Sequence, residues 1–318
     1  MKILIPDKVN QKATEILEQA GFVVENKPGI TEEELIQTCS DVDAMIVRSG
    51  IKITKEVLDA ATNLKVVVRA GVGYDNIDSA YAAEKGIIVE NTPFGNTNAA
   101  AEHTITMLML LAKHIIHAHT ELKSGVWDRK KFKATELKDK TLGIVGLGNI
   151  GKKIAKVAIA LEMTVIGSDP FITADQAEEI GVKKVEFDEL IKTSDFITVH
   201  VPLTPKTENM VSKEQFDMMK DGVRILNVAR GGVINELDLE QSLLNGKVAA
   251  AAIDVWTQEP PVCQSLIASD NVICTPHLGA STKEAQVNVA VDAANQIVNA
   301  LKEDKIENCV NKIETVKA

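Results

Sequence analysis

Cysteine is scarce: four in 318 residues (Cys39, Cys263, Cys274 and Cys309), none in Cys-x-x-Cys spacing. This argues against a disulfide framework or a thiolate metal knuckle and fits a cytosolic chain with free thiols. Long apolar runs are missing too. The most hydrophobic stretch, Ile105 to Ala112, falls well short of the roughly 20 residues a membrane span needs, and it runs into Lys113 and His114. The opening Met1-Lys2-Ile3-Leu4-Ile5-Pro6-Asp7 is a short strand stopped by proline, too brief for the apolar core of a secretory leader. Positive charge is in deficit, with 35 Lys and Arg against 45 Asp and Glu and a formal net charge of -10. A broad nucleic-acid surface is therefore not expected, because phosphate binding needs a basic footprint. An anionic small molecule would have to be met by a local cluster of arginines.

What is present is an ordinary globular composition, 45% hydrophobic and 25% charged, in a length that suits about two domains. The most informative stretch is Thr141 to Asp169. An apolar strand (Leu142 to Val145) meets a glycine turn (Gly146, Gly148, Gly151), and Ile154, Val157, Ala158 and Leu161 then recur at helical spacing. A second strand (Thr164 to Gly167) ends at Asp169, roughly 20 residues on, where a dinucleotide fold keeps the acid for the adenosine ribose. Gly146 would make the tight turn, Gly148 would admit a pyrophosphate, and Gly151 would let helix and strand pack closely. The helix N-terminus would then face the phosphates with unpaired N–H groups. Asp169 favours NAD over NADP, since a carboxylate accepts ribose hydroxyls and repels a 2'-phosphate.

Residues 1 to about 95 alternate strands (Lys2 to Pro6, Ala44 to Arg48, Lys65 to Arg69, Ile87 to Glu90) with helices (8–20, 31–38, 54–61, 78–85), the rhythm of a parallel sheet. In such sheets ligands lie beyond the carboxyl ends of the strands. Arg48 and Arg69 stand there, each with a planar fork of donors suited to carboxylate or phosphate. Gly71 and Gly73 beside Arg69 suggest a nest of backbone N–H groups turned toward an anion. Pro93 to Asn98 reads as a connection, and Ala99 to Lys123 as one long helix with a face (Ile105, Leu108, Met109, Ala112, Ile115, Ile116) apolar enough to pack between domains or subunits. It carries His103, His114, His117 and His119. His114 and His117 lie one turn apart, but no carboxylate or cysteine joins them at ligand spacing, so a solvated or capping role is expected and no metal site. Trp127-Asp128-Arg129-Lys130-Lys131-Phe132 reads as an exposed loop.

Further strands follow at Lys184 to Glu186, Phe196 to Val201, Val223 to Val228, Ala250 to Val255 and Asn271 to Cys274. Arg230 follows Val223 to Val228, Asp254 sits at the end of Ala250 to Val255, Glu259 lies between the last two strands and His277 follows Asn271 to Cys274, all on the edge that also holds the glycine turn. An imidazole, an arginine and a carboxylate on a dinucleotide rim point to catalysis. Oxidation of an alcohol by nicotinamide needs a group to take the hydroxyl proton, and an imidazole such as that of His277 is the side chain suited to accept one near neutrality. Glu259 would hold the ring and stabilise imidazolium, and Arg230 would anchor a carboxylate and polarise the developing carbonyl. Asp254 would take the nicotinamide carboxamide or its ribose. No metal is required. The last helix, Lys283 to Leu301, followed by Val310-Asn311-Lys312, is expected to pack back on the first domain.

These strings, together with Val-Arg-Ser-Gly at 47, Arg-Ala-Gly-Val-Gly-Tyr-Asp-Asn at 69, Asn-Thr-Pro at 91, Asp-Phe-Ile-Thr-Val-His at 195, Asn-Val-Ala-Arg-Gly-Gly at 227 and Pro-His-Leu-Gly-Ala-Ser-Thr at 276, resemble the D-isomer-specific 2-hydroxyacid dehydrogenases over nearly the whole chain. The last string and the Trp-Asp-Arg-Lys-Lys-Phe run resemble the branch acting on a phosphorylated hydroxy acid. The resemblance implies an α/β protein of two doubly wound parallel-sheet domains, a Rossmann cofactor domain and a flavodoxin-like substrate domain. Residues 1–94 and 281–318 would form the substrate (lid) domain, and 95–280 the NAD-binding domain with a dimer-forming helix. It implies Arg230, Glu259 and His277 as the catalytic three. Cofactor positions would be Gly146, Gly148, Asn149, Ile150, Gly151, Asp169, Thr207, Val228, Ala229, Arg230, Asp254, His277, Gly279 and Ala280. Substrate-side positions would be Arg48, Ser49, Arg69, Gly71, Val72, Gly73 and Asn96, joined by Arg129, Lys130 and Lys131, which in a homodimer would reach the partner's site as phosphate contacts.

Val72 and Val201 depart from the polar residues often found in relatives. Many relatives continue into a regulatory domain, and this chain stops at Ala318, so feedback by that route is not expected and a dimer is expected over a tetramer. A glyoxylate, hydroxypyruvate or lactate-type reductase shares the catalytic three, and an NAD-sensing corepressor scaffold keeps the same residues; both stay open on sequence.

Overall fold

The computed structural model describes residues 1–311 and divides them into two compact units, residues 1–97 with the segment from 282 onward, and residues 98–281. The first unit opens with β1 (Lys2–Ile5), α1 (Lys12–Gln19), β2 (Val23–Asn26), α2 (Glu32–Thr38), β3 (Ala44–Val47), α3 (Lys55–Ala60), β4 (Val66–Arg69), α4 (Ser79–Glu84) and β5 (Ile88–Asn91). Its strands pair in parallel in the order β2-β1-β3-β4-β5, the flavodoxin-like order. Central β3 is buried along its whole length, as the continuous apolar run Ala44-Met45-Ile46-Val47 requires of a strand covered on both faces. β2 is new relative to the sequence reading. It is an edge strand whose residues are exposed or half-buried, so it lacks the apolar run that marked its neighbours.

The second unit runs through α5 (Thr97–Lys113), α6 (Ile115–Lys123), β6 (Thr141–Val145), α7 (Asn149–Ala160), β7 (Thr164–Ser168), α8 (Ala174–Glu178), β8 (Lys183–Lys184), α9 (Phe187–Thr193), β9 (Phe196–Val199), α10 (Lys213–Met218), β10 (Val223–Asn227), α11 (Glu236–Leu244), β11 (Val248–Ile253), α12 (Gln264–Ile267) and β12 (Val272–Cys274). The sheet order is β8-β7-β6-β9-β10-β11-β12, all parallel. Counted within the unit this is the doubly wound Rossmann order with one added strand, and the winding reverses between β6 and β9. Leu142, Ile144, Ile154 and Ala158 pack one face of this sheet, and Ile197, Val199, Phe216 and Ile225 the other.

The expected single helix from Ala99 to Lys123 is two helices. His114 takes a left-handed conformation, φ 52°, and breaks α5 from α6. No glycine or proline marks the break, and the apolar spacing continues across it.

The chain then returns to the first unit as α13 (Lys283–Lys302), capped by Thr282, whose hydroxyl accepts from the Ala285 amide. Val289, Ala290, Ala293 and Ile297 close a core with Ile3, Ile5, Ala13 and Leu17. Beyond it Val310 donates to the Val89 carbonyl at 2.8 Å and Asn311 Oδ1 accepts from the Val89 amide at 2.9 Å, so this stretch lines the edge of β5. Lys312 and the remainder of the expected domain to residue 318 lie outside the described residues.

Candidate active site

The glycine turn after β6 sits at the reversal point of the seven-stranded sheet. Gly146 has φ 96°, and an added Cβ would come within 2.5 Å of the His200 carbonyl oxygen at the end of β9. The turn is therefore closed against the neighbouring strand, as a residue without a side chain allows. An added Cβ on Gly151 would overlap the Gly146 carbonyl, which accounts for the close approach of α7 to the turn. Gly148 differs. It is exposed, caps α7, and nothing lies within 4 Å of where its Cβ would be. This open space in front of a helix N-terminus suits a phosphate, and Asn149 and Ile150 form the first turn beside it. His200, under the turn, is bonded through Nε2 to Thr198 at 2.8 Å, and burial drives its pKa down to about 3, so it is neutral.

Asp169 stands one residue past β7. One carboxylate oxygen accepts from the Leu147 amide and the other from the Phe171 amide, both at 2.8 Å. A carboxylate has about four acceptor positions, so each oxygen keeps capacity for a ribose hydroxyl. The donor-rich turn and this half-used carboxylate fit a dinucleotide.

The catalytic candidates lie on the same edge. His277 Nδ1 is 2.9 Å from both oxygens of Glu259. Both side chains are partly exposed, 44% and 41%, and Nδ1 is committed to the carboxylate, which leaves Nε2 for chemistry. Glu259 is further held by the Trp256 amide at 3.2 Å. Arg230 follows β10 in a turn shaped by Asn227, which accepts from the Ala229 amide at 3.1 Å and donates to the Arg230 carbonyl at 2.8 Å. The guanidinium donates to the Ala229 carbonyl at 2.6 Å. An added Cβ on Gly231 would overlap the Trp256 carbonyl, so this turn packs directly on the loop that carries Glu259. Val228 is buried, and Gly279 lies against it, with Ala280 half-buried alongside.

Two residues expected at the cofactor, Asp254 and Thr207, also brace their own loops. Asp254 is fully buried. Its carbonyl accepts the His277 amide at 2.8 Å, and its carboxylate accepts the Leu278 amide at 2.7 Å, the Gly279 amide at 2.8 Å and the Thr275 hydroxyl at 2.5 Å. Burial pushes this acid up, but hydrogen bonds from His103, Thr275, Leu278 and Gly279 outweigh it and hold the carboxyl below its ordinary range. Three successive N–H groups thus wrap one aspartate and fix His277 at φ 56°. Thr207 commits its hydroxyl to the Pro202 carbonyl at 2.5 Å and accepts the Thr204 amide at 2.8 Å, closing its own loop. The supporting residues His103, Thr275, Asn227 and Trp256 escaped the sequence reading, since their roles arise from contacts with no spacing signature.

In the first unit, Arg48 stands where its winding reverses, between β1 and β3. Its amide donates to Asp7 at 2.6 Å and its carbonyl accepts from Asn76 at 2.6 Å, while its Nε is buried without a partner. Ser49 beside it is exposed. The Arg69 guanidinium lies over Gly71, φ 151°, and donates to the Ala70 carbonyl at 3.0 Å. Val72 spends its carbonyl on Asn91, 2.6 Å, and half-buried Gly73 follows it. Asn96 has a buried, unpartnered Oδ1. Arg129, Lys130 and Lys131 are exposed, with Lys131 paired to Glu121. Among the described residues no group of three or more His, Cys, Asp or Glu is placed to hold a metal, and no helix is long and apolar enough to cross a membrane.

A Rossmann sheet whose rim carries a His–Glu pair and an arginine beside an open glycine turn defines a nicotinamide-dependent class. Residues 105–279 match the family model described as D-isomer specific 2-hydroxyacid dehydrogenase, NAD binding domain, and the chain belongs to that family. It is 47% identical over 312 residues to the D-3-phosphoglycerate dehydrogenase of Archaeoglobus fulgidus and 48% identical to that of Methanocaldococcus jannaschii. Each alignment covers 98% of this chain and 59% of the relative, so the chain spans little more than half the length of these proteins. A crystal structure of a glyoxylate reductase from Paecilomyes thermophila superposes with a TM-score of 0.91 at 29% identity, covering 98% of each chain.

Proposed function

We propose that the chain is an NAD-dependent dehydrogenase that oxidises 3-phosphoglycerate to 3-phosphohydroxypyruvate, the oxidation that opens serine synthesis. The observation that carries the chemistry is His277 Nδ1 held at 2.9 Å from both Glu259 oxygens on the rim that bears the glycine turn. The relatives named above support the substrate.

When bound, NAD supplies the hydride acceptor. His277 Nε2 takes the proton of the substrate hydroxyl as that hydride leaves carbon, and Glu259 stabilises the resulting imidazolium. Arg230 binds the substrate carboxylate and polarises the developing carbonyl. Asp169 accepts the ribose hydroxyls and so selects NAD over NADP. In the first unit, Arg48, Ser49, Arg69, Asn96 and the Gly71-Val72-Gly73 backbone are assigned to the substrate's anionic groups, which would let an acidic protein hold an acidic substrate. The apolar side chains Ile115, Leu122 and Trp127, 52%, 55% and 77% exposed, support a homodimer through α6 and the loop after it. There Arg129, Lys130 and Lys131 would serve the partner's site.

The test is NADH formation from NAD and 3-phosphoglycerate by the purified protein, with glyoxylate and hydroxypyruvate as reverse-direction competitors. Arg129→Ala and Lys131→Ala should raise KM for 3-phosphoglycerate with kcat little changed. Better turnover of an unphosphorylated acid would overturn the substrate, and NADH binding without turnover of any acid would favour a sensing scaffold.

A further inference from the structure

Asp254 is buried with 0% side-chain exposure, and among the described residues the one basic side chain within ion-pair distance is His103, 3.4 Å away on α5. A carboxylate taken out of water must be paired and hydrogen-bonded or it destabilises the fold. The protons around it can be assigned. The Thr275 hydroxyl has one hydrogen, and at 2.5 Å it goes to Asp254 Oδ1. At 3.2 Å from His103 Nε2, Thr275 Oγ1 can then only accept. Both neighbours of Nε2 therefore call for the proton on that nitrogen. Ala99, Ala100, Ala101, Thr104 and Met107 are buried around His103 on α5, so the imidazole is delivered from a packed helix.

We propose that His103 is a positioning residue of the dehydrogenase: through Thr275 and Asp254 it holds the turn His277–Gly279, and with it the direction in which the His277 ring meets its substrate. The assignment rests on reading His277 as the acid/base. The turn needs such support because His277 sits at φ 56°, a conformation that side-chain-bearing residues adopt only when their surroundings enforce it. Asp254 supplies the enforcement, and His103 keeps Asp254 ionised and aimed.

Two measurements test this, one of them independent of turnover. In His103→Leu, hydrogen exchange of the ligand-free protein at the Leu278 and Gly279 amides should quicken about tenfold, the loss of one charge-assisted hydrogen bond from the network, and kcat should fall by a similar factor with KM for the hydroxy acid within about twofold. His103→Gln, whose terminal N–H reaches the same place, should restore both. If His103→Leu folds poorly, Thr275→Val carries the same expectation. Wild-type exchange and kcat in the leucine variant, or failure of glutamine to rescue, would overturn the proposal. A wild-type protein that turns over no hydroxy acid would instead sink the dehydrogenase reading and leave the exchange result to decide the positioning role.

Discussion

Alanine at Gly148 and at Gly151, one at a time, separates ligand recognition from framework packing within a single turn. A Cβ on Gly151 would overlap the Gly146 carbonyl oxygen and press on Ile144 Cγ2 at 3.3 Å. Neither neighbour can yield, so α7 must lift from β6. Overpacking of this kind costs about 1–3 kcal/mol, offset by about 0.5–1 kcal/mol that alanine gains over glycine inside a helix. Gly151→Ala should therefore lose up to roughly 2.5 kcal/mol of folding stability. Gly148 stands at φ -68° and ψ -165°, backbone open to any residue, with nothing within 4 Å of the new methyl. Its alanine variant should stay within about 0.5 kcal/mol of wild type. The same methyl fills the space before the α7 amides where a pyrophosphate would rest, and should weaken NADH binding by about ten- to a hundredfold, or roughly 1.4–2.8 kcal/mol. Urea unfolding of the ligand-free proteins and fluorescence titration with NADH read the two effects separately. A Gly148→Ala protein that binds NADH like wild type, or that loses as much stability as Gly151→Ala, would refute the division of labour.

His277→Asn, chosen because asparagine tolerates the left-handed backbone at this position, should lower kcat by about 10²–10⁴-fold, and Glu259→Gln by less. Both should leave the urea midpoint in place because the side chains are partly exposed; a normal kcat in either variant would remove it from the mechanism. Glu90 is fully buried and its carboxyl is raised above the ordinary 4.5 by burial, against the opposing amides of Asn308 and Glu307. The folded state then holds this proton more tightly than the unfolded chain, so its contribution is complete below pH 4.5 and is lost as pH rises through the folded value. Glu90→Gln should flatten that part of the stability profile, and an unchanged slope would contradict the assignment. Wild type should sediment as a dimer at micromolar concentration, and Leu122→Ala with Trp127→Ala should weaken association at least tenfold; a monomeric wild type would refute the apolar face as an interface.

The winding of both sheets was legible because central strands such as Ala44–Val47 and Phe196–Val199 are buried on two faces and are apolar but for Thr198, whose hydroxyl is paired with His200. The glycine turn was legible for a related reason: only glycine tolerates the approach of the His200 carbonyl at residue 146. What escaped the reading lacks such a local cause. β2 lies at an edge and buries too little to impose a pattern. The break at His114 interrupts hydrogen bonding without interrupting apolar spacing. Asp254 was recognised as a rim residue, but its partners Leu278, Gly279, Thr275 and His103 come from other segments, and nothing near residue 254 says whether its oxygens face inward or toward a ligand. The His277–Glu259 contact was easier to foresee because one proton transfer demands both groups.

The interleaved layout of the first unit has a consequence for how the polypeptide is made. Ile3, Ile5, Val66 and Val68 leave the ribosome early, yet the helix that covers them, with Val289, Ala293 and Ile297, is translated roughly 220 to 290 residues later. At ordinary elongation rates that delay is on the order of tens of seconds. The residues 98–281 unit can meanwhile complete its own core, so the nascent chain carries a finished half and an unfinished one. Substitutions along α13 should therefore surface first as poor yield and chaperone dependence rather than as altered turnover.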